Sequence, residues 1–99
     1  MTVIADSGPL IHLASVAQFP LLKRFFQPLH IVPHVFDEVV LQGKGRSGDP
    51  ELRQALSEQW IDVERVVNST LVQRLTAPNI SETDATVVAC ALEKRASLV

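Results

Sequence analysis

Short, mostly apolar runs occur at residues 2–5, 29–32, 60–63 and 96–99, and longer amphipathic stretches fill the intervals between them. Runs of that length without strict alternation predict strands covered on both faces, the habit of buried parallel strands. The intervals predict helices. One spans 9–15, with Ser7 or Gly8 as its cap and Pro9 early; the next spans 19–26, with Pro20 near its start. Residues 34–41 follow Pro33 as a third helix, and 50–59 form a polar, amphipathic fourth. Residues 68–76 read as helical with Asn68 as cap, and 81–95 form the best-marked helix, with Ser81 as N-cap. The stretch 42–49, holding Gly43, Gly45 and Gly48, predicts a loop, and 77–80 a turn. Strands alternating with helices predict an α/β domain with helices on both faces of a parallel sheet.

Ninety-nine residues predict one domain, which would bury roughly 60–65% of its unfolded surface. Apolar residues make up 46% of the chain, too many for disorder. No apolar run reaches the ~20 residues that span a bilayer. The opening Met1-Thr2-Val3-Ile4-Ala5-Asp6 has no basic region and meets an acid at once, unlike a signal peptide. A single cysteine, Cys90, excludes an intrachain disulfide and a cysteine zinc cage. These features lead to the expectation of a cytoplasmic protein. Cys90 itself lies in an apolar run and reads as a buried, inert thiol.

The formal charge of −2 argues against tight, non-specific nucleic-acid binding through a basic surface. It leaves open a site that holds phosphate through a metal ion. Lys23-Arg24 and Lys94-Arg95 close two predicted helices, where cations complement the helix dipole. Lys44 and Arg46 sit in the glycine loop, as RNA-backbone contacts or as part of a solvated connection. That loop lacks the Gly-Lys-Ser/Thr of a P-loop.

The remaining candidate chemistry is acidic. Asp6 ends the first strand, where ligands bind in open α/β sheets; it reads as a metal ligand or as a helix cap. Ser7 reads as a cap or as a contact to metal-bound water. Helical spacing puts Val35, Glu38 and Val39 on one side, a carboxylate beside an apolar stripe, although periodicity does not choose between Asp37 and Glu38. Positions 84, 87, 88 and 91 share a face, so Asp84 heads an apolar stripe and would be partly desolvated unless a cation compensates it. Ser81-Glu82-Thr83-Asp84 also has capping-box form. His12, His30 and His34 lack a metal-binding spacing and read as structural or surface groups, and Trp60 as a packing residue.

The opening V-I-A-D-S-G-P-L-I-x-L, the Val35-x-x-Glu38-Val39 after Pro33, and the acidic pair Glu82 and Asp84-Ala85 resemble the PIN domain, a family of metal-dependent ribonucleases. Ser81 stands where that family usually has glycine. The resemblance implies a Rossmann-like three-layer α/β/α fold. It implies an endoribonuclease acting on single-stranded RNA, with Asp6, Glu38 and Asp84 as catalytic acids that, with Glu82, hold Mg2+ or Mn2+. It further implies a toxin restrained by an antitoxin protein. The family pattern continues through a fourth acid, a helix and a last strand. The expectation is therefore of a domain incomplete at its C-terminus, with an open sheet edge that invites a homodimer. Two other functions fit the residues: a catalytically inactive remnant that binds a protein partner, and a small-ligand-binding α/β domain using Asp6 only as a cap.

Overall fold

The four apolar runs become four parallel strands: β1 (Val3–Ile4), β2 (Leu29–Ile31), β3 (Ile61–Val63) and β4 (Ser97–Leu98). They lie in the order β3-β2-β1-β4 in the computed structural model, which describes residues 2–65 and 69–99. The register pairs Ile4 with His30 and Leu98, and His30 with Asp62. Val3, Ile4, Leu29 and Ile31 are all buried, so the two inner strands are covered on both faces, as their unbroken apolar character predicts. On the outer strands, Asp62, Val63, Ser97 and Leu98 are exposed.

The helices are α1 (Ser7–Ser15), α2 (Pro20–Phe25), α3 (Pro33–Phe36), α4 (Asp49–Ser57), α5 (Ser69–Leu75) and α6 (Glu82–Lys94). The proposed Asn68 cap lies outside the described residues. Ser81 caps α6, its Oγ accepting from Asp84 N at 3.0 Å. The helix ends on Arg95 in the left-handed conformation at φ 52°. The cap of α1 is Asp6, rather than Ser7 or Gly8. Asp6 is extended, with φ −83° and ψ 170°, and its carboxylate accepts from Ser7 N, so the helix starts a residue or two earlier than expected. No described helix is long and apolar enough to cross a membrane.

Leu10, Leu22, Val35, Leu52, Ile61 and Val87 fill the core around the sheet. Trp60 packs edge-on against Phe19, with ring centroids 5.8 Å apart, which is the packing role its position suggested.

Two segments depart from expectation. The helix predicted over 34–41 is α-helical only through Phe36 and continues as a π-helix over Asp37–Leu41. Gln42 N donates to Asp37 O at 2.8 Å, five residues back. Val35, Val39 and Val40 all stay buried along this widened turn. Gly43 lets the chain leave it, because a Cβ there would stand 2.6 Å from Val39 O. The loop 42–49 is exposed from Lys44 to Ser47, as a solvated connection would be, but it is also hydrogen-bonded within itself. Arg46 N donates to Gly43 O at 2.8 Å, and Asp49 N to Arg46 O at 3.1 Å. The Asp49 side chain is buried beneath the loop. It accepts from Gly45 N at 2.7 Å and meets Arg53 Nε at 2.9 Å.

Candidate functional site

Asp6 sits at the carboxyl edge of the sheet because both sides of β1 hold it there. Ala5 N donates to His30 O at 2.8 Å, and Asp6 N donates to Val99 O at 2.9 Å. Its carboxylate is half-buried and caps α1. The two readings of Asp6 are therefore compatible: the cap uses Oδ1, which leaves Oδ2 outside that bond. One residue on, Ser7 Oγ donates to Glu38 Oε2 at 3.0 Å. That bond brings the π-helical stretch against the end of β1. It also separates Glu38 from Asp37, since Glu38 is half-buried and reaches the strand end while Asp37 is exposed.

The N-terminus of α6 arrives at the same edge, because α6 packs on β1 and on α3. Glu82 Oε1 lies 3.4 Å from Nε2 of His34, in the first turn of α3. Asp84 is exposed and makes no hydrogen bond or ion pair through its carboxylate among the described residues. The expected desolvation of Asp84 is thus not found. Ala85, Val87 and Ala91 face the core, while Asp84 and Val88 lie on the border of that face. A residue at the border of a helix face is sheltered or free according to a small rotation, which spacing alone does not give.

The donors at this edge are carboxylate and hydroxyl oxygens, the type that Mg2+ and Mn2+ prefer. Asp6, Glu38 and Asp84 do not, however, bring three ligating atoms within 4.8 Å of one another. Among the described residues His30, Asp62 and Glu64 alone do so. The described side chains at this edge are therefore not preassembled as a three-atom ligand set.

The His30 group was invisible to a search of histidine spacings, because its acids come from the neighbouring strand and its end. His30 Nδ1 contacts Asp62 Oδ1 and lies 3.5 Å from Glu64 Oε1, while Lys94 Nζ stands 3.9 Å from Glu64 Oε2. With a lysine already on one of its acids, the group is arranged as a polar clasp between β2, β3 and α6. Cys90 is buried beside it, as expected. Lys44 and Arg46 are exposed on the folded glycine loop.

The model of the DUF3368 family, described as a PIN domain, matches residues 2–99. No curated protein matches the chain. Among solved structures it is similar to the crystal structure of Mycobacterium tuberculosis VapC20, a sarcin-ricin loop cleaving toxin. The two share 18% identity with a TM-score of 0.66, over 96% of this chain and 85% of that one. At that identity the likeness carries the fold, a mixed α/β domain around a parallel sheet. The chain belongs to the PIN-domain family.

Proposed function

We propose that this chain is a divalent-metal-dependent endoribonuclease that cuts single-stranded RNA and serves as the toxin of a toxin–antitoxin pair. The observation that carries this reading is the Ser7–Glu38 hydrogen bond, which joins the acid-tipped end of β1 to the acid of the π-helical stretch. Family membership and the fold shared with VapC20, itself a sarcin-ricin loop cleaving toxin, support it.

In this reading Asp6 and Glu38 are the fixed ligands. Asp6 is held by its own N–H bond to Val99 O, by the bond of neighbouring Ala5 N to His30 O, and by its cap. Glu38 is held through Oε2, which leaves Oε1 outside that bond and able to serve as a ligand atom. Asp84, exposed and unpaired among the described residues, would be the third ligand, with Glu82, beside His34, as a further acid of the set. Bound Mg2+ or Mn2+ would supply Lewis-acid chemistry: activation of water and neutralisation of charge on the phosphoryl oxygens.

A second reading has its own observation. Because the three acids do not converge within 4.8 Å, the chain also suits a non-catalytic module that binds a protein partner. One assay separates them: cleavage of single-stranded RNA by the wild type with Mn2+, with EDTA, and by Asp6→Asn. Cutting that needs Mn2+ and is lost in Asp6→Asn establishes the nuclease. Folded wild-type protein that cuts nothing in Mn2+ overturns it in favour of the binding module.

A further inference from the structure

The glycine loop, α1 and the π-helical stretch line a half-open pocket of about 350 Å3, with Glu38 on its wall. We propose that this pocket takes one nucleotide of a single-stranded RNA, Arg46 binding its phosphate and Gln42 reading its base edge. The proposal rests on the ribonuclease reading for the class of ligand and deepens it by naming where the strand is held.

The size is at the low end for a ligand site, enough for one nucleotide and too small for several. The lining is chemically mixed in the way a nucleotide needs. Ile11, 37% exposed, offers an apolar patch. Gln42 and Ser47 offer neutral hydrogen-bonding groups, and Arg46 a guanidinium. The Arg46 side chain makes no hydrogen bond or ion pair among the described residues, although the Glu38 carboxylate lines the same pocket. An unpaired guanidinium is a planar fork of donors suited to a phosphate. Single-stranded RNA is recognised through such contacts together with hydrogen bonds to base edges.

The loop is also built more firmly than a connection requires. Arg46 is fixed through both its backbone groups, N to Gly43 O and O from Asp49 N. Beneath it lies Asp49, 1% exposed. Burying a carboxylate is costly unless it is paired, and here Gly45 N and Arg53 pair it. Gly48, at φ +103°, packs so closely that a Cβ would stand 3.1 Å from Val39 Cγ1. A loop ordered before the ligand arrives spares the ligand the entropy of ordering it.

The test is binding of short, labelled single-stranded oligoribonucleotides of differing base composition to Asp6→Asn protein, by fluorescence anisotropy across a salt series. Added to that background, Arg46→Ala should weaken binding about tenfold, and should lower the slope of log K against log salt by about 0.7, the value of one lost phosphate contact on a single strand. Arg46→Lys should restore the slope. Gln42→Ala should leave the slope intact and flatten the preference among oligonucleotides. Unchanged affinity and slope in Arg46→Ala overturn the proposal, as does an Asp6→Asn protein that binds no RNA. Circular dichroism checks each fold, and Arg46→Gln replaces Arg46→Ala if the latter misfolds. The two readings fail separately. Wild-type protein that cleaves RNA, with KM unmoved by Arg46→Ala, removes the pocket and keeps the nuclease. Binding that depends on Arg46 without any cleavage removes the nuclease and keeps the pocket.

Discussion

Ser7 and Glu38, 31 positions apart in the chain, are joined by one side-chain hydrogen bond of 3.0 Å. Ser7 is thereby more than a neighbour of the capping Asp6: it sets which way the Glu38 carboxylate points. Ser7→Ala should cost about 1 kcal/mol of stability, the net worth of one such bond. It should also raise the Mn2+ concentration needed for half-maximal cleavage, while Ser7→Thr, which keeps the hydroxyl, should recover much of the loss. Thermal melts and a Mn2+ titration of cleavage check both parts.

Asp6 carries two duties that substitution separates. Asn caps helices as well as Asp, so Asp6→Asn should leave the melting temperature nearly unchanged and remove the charge that an ion needs. Asp6→Ala should lose the cap as well, at about 1 kcal/mol. Cleavage should fall on the order of 100-fold or more in both, the scale set by loss of a group that stabilises transition-state charge. Equal melting temperatures for the two variants would show that the cap bond contributes nothing.

Two glycines of the loop should respond differently to alanine. At Gly43 a Cβ would meet Val39 O at 2.6 Å, a backbone atom that cannot swing aside. Gly43→Ala should therefore destabilise by about 2–3 kcal/mol, as overpacking does. Gly45 has open space around it but φ of +79°, so Gly45→Ala should cost only about 1 kcal/mol of backbone strain. Urea denaturation of the pair measures the difference.

Burial pushes the Cys90 thiol above its ordinary value of 9.0; Lys94 offsets part of the shift, and Glu64 and Glu93 add to it. The folded state therefore holds this proton more tightly than the unfolded chain does. That contribution is complete below the ordinary thiol value and is lost as pH rises through the folded one. The urea midpoint of the wild type should fall between pH 8 and pH 10 by more than that of Cys90→Ala, which has no thiol to titrate. Parallel declines would contradict the shift.

The strands and most helices were readable because their signals are local: unbroken apolar runs, a serine before α6, prolines at helix starts. The motif context singled out Asp6 and Glu38 as candidate acids, and in the structure Ser7 bonds to both carboxylates, through its N–H and its hydroxyl. The π-helical turn was not readable, since a 3.6-residue period fits Val35 and Val39 equally well and the wider turn is set by packing over Gly43. Asp49 read only as the end of the glycine loop; its burial depends on Gly45 and Arg53 closing over it. His30 showed nothing along the chain because Asp62 and Glu64 reach it from the adjoining strand and its end.

The position of β1 between β2 and β4 has a consequence for synthesis. Ile4 is made long before Leu98, one of its partners, and Asp6 N waits for the carbonyl of Val99. At ~5–20 residues per second a nascent polypeptide spends several seconds with that flank unmade. The edge that carries Asp6 is therefore completed by a long-range closure, which forms later than the local turns of the helices.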